Sequence, residues 1–258
     1  MTSPFATYSD TIDRNAPTLR PAGRTVMFQR WSHLSFLHWR FPADAIRPLL
    51  PPGLELDTFE GDAYVGLVPF MMSGVRPVWS PPLAPLSNFH ETNIRTYVHY
   101  RGRDPGVWFF SLDAASAPAV HIARALWKLP YHFARMSVET AGGEMEYSSD
   151  RLWPAPVPAT CSVRTRPIGS VMPASIGTLE HFLAERYVLY AYARSHLFIG
   201  RVHHTPYPLQ HAELVSLQET LLAATHLIRP GSAPLVHYAS GVDVRVFPLR
   251  RVDERHPP

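Results

Sequence analysis

The sequence predicts an α+β fold that is mainly β, in which many short strands close into a barrel or cone and only a few short helices are added. Two observations support this prediction. The 258 residues include 27 prolines but 14 glycines, and proline interrupts helices while strand edges and turns tolerate it. The chain divides into many short segments rich in residues that favour sheet, with only three or four small helices between them. Closure is expected because it hides strand edges and encloses room for a ligand.

Composition indicates a soluble, cytoplasmic protein. Hydrophobic residues make up 46% and charged residues 17% of the chain, as in a globular interior with a sparsely charged surface. The net charge of +3 comes from dispersed arginines, which predicts no nucleic-acid surface. No apolar run is long enough to span a membrane, and the start of the chain lacks a signal-peptide pattern. Cys161 is the only cysteine, which excludes an internal disulfide and fits a reducing compartment.

The domain organisation is predicted from the position at which strand and helix patterns begin in the sequence. Residues 1–22 are polar, contain several prolines and have no period, so we predict a flexible N-terminal arm. No linker of domain-separating character follows, so residues 23–258 are predicted to form a single domain.

The first half of the chain carries the clearest strand patterns. Pro42 begins a helical turn that ends before Pro51, and prolines clustered in residues 74–87 predict a stiff loop. The predicted strands of this half cover residues 25–39, 54–57, 63–72, 89–100 and 107–110.

The second half alternates hairpins with short helices. Residues 141–143 and the pair Arg194-Ser195 are predicted hairpin turns. The predicted strands cover residues 133–140, 144–149, 162–166, 186–193, 197–204, 210–217, 235–239 and 242–247, and helices cover 175–185 and 218–228.

The strand at residues 89–100 carries a row of chemically useful side chains. Glu91, Asn93 and Arg95 fall on one face because strand side chains alternate. If that face points into a barrel, it forms a polar binding wall; if it points to water, it is an ordinary solvated face.

The segment from Ser111 to Met136 concentrates the unusual features of the chain. A helix is predicted with Pro118 in its first turn and Pro130 at its end, and Ile122, Leu126 and Leu129 recur at helical spacing on one face. Asp113 precedes this helix and is expected to cap it or to accept a hydrogen bond from an arginine. Lys128 is the only lysine in the chain.

This segment also resembles a known family. ARALWKLPYHFARM is similar to the helix–proline–strand segment of the acetoacetate decarboxylase superfamily. The phrases ADAIRPLLPPGLELD, AYVGLVPFMMSGV and LEHFLAERYVLY resemble still more closely a branch of unknown function, the YqjF-like proteins (DUF2071). The resemblance covers residues 25–250 and implies an acetoacetate-decarboxylase-like barrel that binds a small carboxylate or carbonyl compound. It also implies a homo-oligomer and no cofactor.

The resemblance directs attention to the residues after Pro130. In the decarboxylase the reactive lysine pair follows this proline, whereas here Tyr131 and His132 occupy the two positions. A histidine titrates near neutrality and a tyrosine can relay a proton, so both are candidate catalytic residues. Lys128 is a third candidate, because a desolvated lysine can form a Schiff base with a carbonyl. Its alternative interpretation is an ordinary surface lysine.

Substrate binding is assigned to Arg95, Glu91 and Asn93, since a guanidinium binds a carboxylate in bidentate fashion. His203 and His204 point to opposite faces of a strand, so no metal site is predicted. The chain contains no GxSxG, GxGxxG, Walker or HExxH motif.

Two functional hypotheses remain. The first is a lyase or related enzyme that acts on a small oxo acid without the usual lysine pair. The second is a non-catalytic barrel that binds a small molecule.

Overall fold

The computed structural model describes residues 12–83, 86–154 and 158–252. The strands are β1 (Met27–Phe41), β2 (Glu55–Leu56), β3 (Ala63–Pro77), β4 (Phe89–Tyr100), β5 (Arg103–Ala114), β6 (Tyr131–Ala141), β7 (Glu144–Trp153), β8 (Thr160–Ile168), β9 (Val188–Ala193), β10 (His196–His203), β11 (Leu209–Glu219), β12 (Leu235–Val246) and β13 (Arg250–Arg251). The helices are α1 (Ala43–Ile46), α2 (Ala117–Ile122), α3 (Leu179–Ala184) and α4 (Leu221–Ala224), with 3-10 turns at Ala16–Thr18 and Arg47–Leu49 and a π-helical turn at Ala123–Trp127.

The strands form one sheet in the order β13-β10-β9-β5-β6-β7-β8-β11-β12-β1-β3-β4-β2. The sheet closes on itself because β4 also pairs with β5, which joins the two ends of a ring of strands. Pairing is antiparallel except that β5 runs parallel to β6 and to β9. The predicted fold class, mainly β with a closed sheet and a few short helices, is therefore confirmed.

Both faces of the central strands are buried, which explains their strongly apolar sequences. On β1, Leu37 and Trp39 pack on one side, where Val65 and Ile94 lie. Phe36 faces the opposite side, together with aromatic residues of β3 and of the segment after β10. The molecule thus has two apolar layers separated by the same strands, and β4 lies between them.

The helix before Pro130 begins as predicted, but its second half is a π-helical turn and not the α-helix that the sequence predicts. The side chain of Ser116 caps α2 by accepting a hydrogen bond from the Ala119 amide at 3.4 Å, and Pro118 lies in the first turn. The helix then widens into the π-helical turn, and Lys128 ends it in the left-handed region with φ 57°. Of the three residues predicted to share a helix face, Ile122 and Leu126 are exposed and Leu129 is buried, so this face does not pack on the core as a unit.

Several boundaries also differ from the prediction. β3 continues to Pro77, so strand replaces the first residues of the predicted loop at 74–87, of which residues 84 and 85 lie outside the described residues. α3 begins after Thr178, whose hydroxyl accepts a hydrogen bond from the His181 amide, and α4 is a single turn within the predicted helix at 218–228. The two predicted strands at 235–247 are one strand, because Gly241 adopts a φ of 146° that carries the pairing through the bend.

The predicted N-terminal arm falls in part on residues 1–11, which lie outside the described residues. In the described remainder, Ile12 is buried and Arg14 forms an ion pair with Asp57. No helix in the described part of the chain has the length and apolar character required to cross a membrane.

Candidate functional site

The polar face of β4 points into the molecule. Glu91, Asn93 and Arg95 are 4%, 4% and 8% exposed. β4 is flanked on both edges by β3 and β5, and α3 lies across this face through the Leu183 carbonyl, which accepts a hydrogen bond from Arg95. Of the two orientations left open by the sequence, the structure has the inward one. We call these three residues and Tyr131 the polar cluster.

Tyr131 and Glu91 are joined directly. Tyr131 pairs with Leu112 of β5, which pairs with Asn93 of β4, so the three side chains project from the same face of the sheet. The Tyr131 hydroxyl donates a hydrogen bond to Glu91 Oε2 at 2.7 Å. The first residue after Pro130 is therefore a hydroxyl donor bound to a buried carboxyl group.

Burial controls the protonation of this pair. Desolvation raises the pKa of Glu91 from 4.5 to about 7, against the opposing effect of hydrogen bonds from Tyr131 and Asn93. Desolvation, followed by the neighbouring charge of Glu91, raises the pKa of Tyr131 well above its usual value. Glu91 can consequently gain or lose a proton near neutral pH while Tyr131 remains a hydroxyl donor, which is a suitable combination for acid–base chemistry.

Arg95 is a buried cation without an anion. Its Nη2 donates to the Leu183 carbonyl oxygen at 3.0 Å, and its guanidinium lies 5.6 Å from the ring centre of Phe36 and 5.8 Å from that of Tyr97. Within the described ranges, no carboxylate lies within ion-pair distance of Arg95, and its Nε has no hydrogen-bond partner. Buried charges are normally paired, as those of Arg151 and Arg186 are with Asp113 and Asp57, so Arg95 differs from the other buried arginines of the described chain.

A histidine that the sequence analysis did not single out adjoins Arg95. The Tyr97 hydroxyl donates to the Leu183 carbonyl oxygen at 2.7 Å, so His38 Nε2, also at 2.7 Å from that hydroxyl, acts as the donor to it. His38 Nδ1 is then an acceptor, and the described residues offer it no donor. Burial, and then the charge of Arg95, lowers the pKa of His38 well below its usual value, so the ring is neutral.

The signal that could have identified His38 was its position on β1. Phe36 and His38 alternate with the apolar residues of the other layer, so both face the side on which Arg95 lies. Gly66 makes room for the imidazole, since a Cβ added there would lie 2.9 Å from the His38 ring. The need for this close approach depends on strand pairing and was not visible in the sequence.

The structure separates His132 from Tyr131. Adjacent strand residues point to opposite faces, and His132 pairs in register with Asp113 in the other layer. Asp113 there accepts hydrogen bonds from Arg151 at 2.7 and 3.0 Å, in agreement with the expected arginine partner. Burial, and then the charges of Arg151 and Arg124, lower the pKa of His132 to about 4. His132 therefore does not belong to the polar cluster.

Lys128 is also away from the cluster. Its Nζ lies 5.1 Å from the ring centre of Phe198 on β10, and it lines an open cleft of about 1270 Å³. The described residues that line this cleft include none of the polar cluster.

The two adjacent histidines at the end of β10 diverge, as expected. His204 is buried, stacked on Tyr187 with ring centres 4.4 Å apart, whereas His203 lies on the opposite side and is half-exposed. Across residues 12–83, 86–154 and 158–252, no group of three or more His, Cys, Asp or Glu side chains is arranged to hold a metal ion.

The closed, mainly antiparallel sheet with a few short helices has the acetoacetate-decarboxylase-like fold. The structure is similar to that of the enduracididine biosynthesis enzyme MppR, solved with the condensation product of pyruvate and imidazole 4-carboxaldehyde, with a TM-score of 0.61 and 14% identity over 90% of this chain and 91% of that chain. It is also similar to acetoacetate decarboxylase from Legionella pneumophila subsp. pneumophila str. Philadelphia 1, with a TM-score of 0.58 and 12% identity over 100% and 99% of the two chains. These similarities show the fold.

The sequence identifies the family within this fold. Residues 28–243 match DUF2071, described as an uncharacterized conserved protein. The chain is 38% identical over 231 residues to the uncharacterized protein YqjF of Bacillus subtilis (strain 168), covering 90% of this chain and 94% of that protein. The chain belongs to the DUF2071 family, and the resemblance predicted from its sequence is confirmed.

Proposed function

We propose that the polar cluster binds a small oxo acid and transfers a proton at the carbon beside its carbonyl group, as a lyase or related enzyme would. The observation that carries the proposal is the buried, unpaired guanidinium of Arg95. A guanidinium takes a carboxylate through two parallel hydrogen bonds, and the free Nε edge of Arg95 offers one of the donors. A structural neighbour, MppR, has been solved with pyruvate, which supports this ligand class.

The other end of the cluster suits the carbonyl group. The Tyr131 hydroxyl can donate to the carbonyl oxygen in place of Glu91, and Glu91 can then accept a proton from the adjacent carbon. The electron pair of that C–H bond moves toward the carbonyl oxygen, which Tyr131 stabilises as an enolate. A raised carboxyl pKa is well matched to such a step at neutral pH.

The proposed chemistry does not use a Schiff base. Tyr131 stands in the position of the decarboxylase nucleophile, and Lys128 lies against Phe198 in a different part of the molecule. The presence of Tyr131 where the decarboxylase has its nucleophile also favours the second candidate function, a barrel that binds the oxo acid and performs no reaction on it. A measurement of proton exchange at the carbon beside the carbonyl group distinguishes the two candidates, because only the enzyme would catalyse that exchange.

The first test is binding of pyruvate and longer 2-oxo and 3-oxo acids by isothermal titration calorimetry. We expect saturable binding that Arg95→Gln removes and that Arg135→Gln, an exposed arginine paired with Asp150, leaves unchanged. Binding that survives in Arg95→Gln, or no binding of any oxo acid to the wild-type protein, would overturn the assignment of this site.

The second test measures exchange of the pyruvate methyl protons in D₂O by proton NMR. We expect exchange in the wild-type protein and loss of exchange in Glu91→Gln with binding retained. Binding without exchange in the wild-type protein would identify a binder. Borohydride treatment with pyruvate should leave the mass of Lys128 peptides unchanged, and a trapped adduct there would restore the Schiff-base mechanism.

A further inference from the structure

A second region of the molecule concentrates positive charge over an aromatic surface. The open cleft beside Lys128, about 1270 Å³ in volume, is bordered by β5, the π-helical turn, β10 and the turn after α4. Its lysine and arginine side chains are Arg124, Lys128, Arg194 and Arg251, and none of its described lining residues is Asp or Glu. None of these four cations forms an ion pair with a carboxylate in the described part of the chain. Charges of one sign along a cleft attract a ligand of the other sign.

Aromatic side chains contribute to the lining of this cleft, and we call them its aromatic floor. Trp108, Phe109, Phe110, Tyr192 and Phe198 line it, and Lys128 Nζ lies over the Phe198 ring at 5.1 Å. Aromatic side chains stack on planar ligand groups and carry cations above their faces. The cleft therefore offers a stacking surface and a cationic rim, and its volume exceeds what a small oxo acid needs.

The backbone around the cleft holds conformations that residues with side chains seldom adopt. Lys128, Arg194 and His226 line it with φ values of 57°, 50° and 66°. Arg194 belongs to a two-residue hairpin turn with positive φ at both positions, where Asn-Gly is the usual pair. The π-helical turn Ala123–Trp127 adds a rare helical form that is frequently found at functional sites. Residues in such conformations often cluster at active sites and ligand-binding segments.

We propose that this cleft is a binding site for an organic phosphate that carries a planar ring, of the size of a nucleotide. The phosphates would contact the cationic rim formed by Lys128 and Arg194, and the ring would stack on the aromatic floor. This site is separate from the polar cluster and does not depend on the oxo-acid proposal. In this proposal Lys128 serves as a phosphate ligand and not as a nucleophile.

The test uses ADP as the probe, with adenosine for the ring alone and pyrophosphate for the charge alone. Calorimetric titration at low salt should give saturable ADP binding with a Kd below about 1 mM. Lys128→Gln and Arg194→Gln should each weaken that binding about tenfold, and adenosine and pyrophosphate should each bind more weakly than ADP. Arg135→Gln, outside the cleft, and Arg95→Gln, in the polar cluster, should leave ADP binding unchanged.

Folding of each variant is checked by its thermal unfolding curve, and the two cleft variants are read together so that one misfolded protein does not decide the result. The proposal would be wrong if ADP showed no saturable binding, or if neither cleft variant weakened it. Equal affinity for pyrophosphate and ADP would show that the ring does not stack on the aromatic floor, which would contradict the proposed ligand class. Loss of ADP binding in Arg95→Gln alone would place the ADP in the polar cluster instead.

Discussion

Glu91 and Arg95 lie four residues apart on one strand face, and burial affects them in different ways. A carboxyl group can avoid the cost of a buried charge by keeping its proton, and the pKa of Glu91 rises to about 7 for this reason. A guanidinium has no such route, because it stays charged at any pH that a folded protein experiences. The unpaired charge of Arg95 is therefore the stronger indication that an anion binds beside this strand.

The raised pKa of Glu91 makes stability depend on pH in a defined direction. The folded state holds the proton more tightly than the unfolded state, so this contribution is complete below pH 4.5 and is lost as the pH rises through about 7. The shift corresponds to about 3 kcal/mol. As the pH rises from about 4 to about 8, the free energy of unfolding of Glu91→Gln should therefore increase by about 3 kcal/mol relative to that of the wild-type protein. Urea unfolding at several pH values measures this difference.

Glu213→Gln serves as the matched control, because Glu213 is exposed and pairs with Arg166 at the surface. Its stability relative to the wild-type protein should change little over the same range. If Glu91→Gln and Glu213→Gln behave alike, Glu91 does not hold a proton near neutrality.

Tyr131→Phe tests the hydrogen bond within the pair. The Tyr131 hydroxyl stabilises the Glu91 carboxylate, so its removal should raise the pKa of Glu91 further. Carbon-13 NMR of labelled glutamate side chains, with Glu91→Gln to assign the signal, follows the titration directly. An unchanged or lower pKa would contradict the geometry of this bond.

At the scale of elements, α3 is held over the polar cluster by a buried ion pair. Arg186, just after α3, donates to Asp57 Oδ2 at 2.9 Å and to the Phe182 carbonyl oxygen at 2.7 Å. Its guanidinium also lies 4.3 Å from the centre of the Phe182 ring. The pair ties the segment after β2 to the end of α3, whose Leu183 carbonyl orients both Arg95 and Tyr97.

Asp57→Asn should lower the free energy of unfolding by about 3–5 kcal/mol, because it leaves a buried guanidinium uncompensated. Asp243→Asn, which breaks an exposed pair with Arg30, should cost less than about 1 kcal/mol. Denaturant unfolding compares the two variants. Similar costs would show that the buried pair does not secure α3.

Gly241 allows β12 to continue as one strand, because its backbone conformation and its close contact with β1 suit only glycine. Its φ of 146° is unfavourable for other residues, and an added Cβ would lie 2.5 Å from the Trp31 carbonyl oxygen. Gly241→Ala should destabilise the protein by about 2 kcal/mol or more, since the neighbour is backbone and cannot move away cheaply. Gly231→Ala, with open space around it and no positive φ, is the control and should stay within about 0.5 kcal/mol of the wild-type protein. Thermal unfolding distinguishes these outcomes.

At the scale of the whole molecule, ring closure through β4 and β5 places the polar cluster on strands that have partners on both edges. Such strands open only when most of the structure opens, whereas β2 and β13 lie at the ends of the sheet order. Amide hydrogen exchange should therefore be slowest in β1, β3 and β4 and fast in β13. Rapid exchange in β4 would mean that the site is not on a rigid scaffold.

The family and the mainly β fold could be predicted from the sequence because both depend on local patterns. Residues 89–100 have a strand pattern that places Glu91, Asn93 and Arg95 on one face, and β4 has those bounds in the structure. Pro130 separates a helical turn from an extended segment, and it does so in the structure. The turn at Arg194-Ser195 was predicted from the two strand patterns that flank it, and it lies there in the structure.

The sequence by itself determined the strand alternation, the candidate residues of the polar face and the family. Only the tertiary structure decided that this face is buried, that His38 adjoins Arg95, and that Tyr131 and His132 lie in different layers. It also decided that Lys128 faces the open cleft, because a π-helical turn changes the direction in which the helix ends. The burial of the polar face and the contact between His38 and Arg95 share one physical reason: alternation fixes which side chains share a face, whereas strand pairing between distant segments fixes what that face meets.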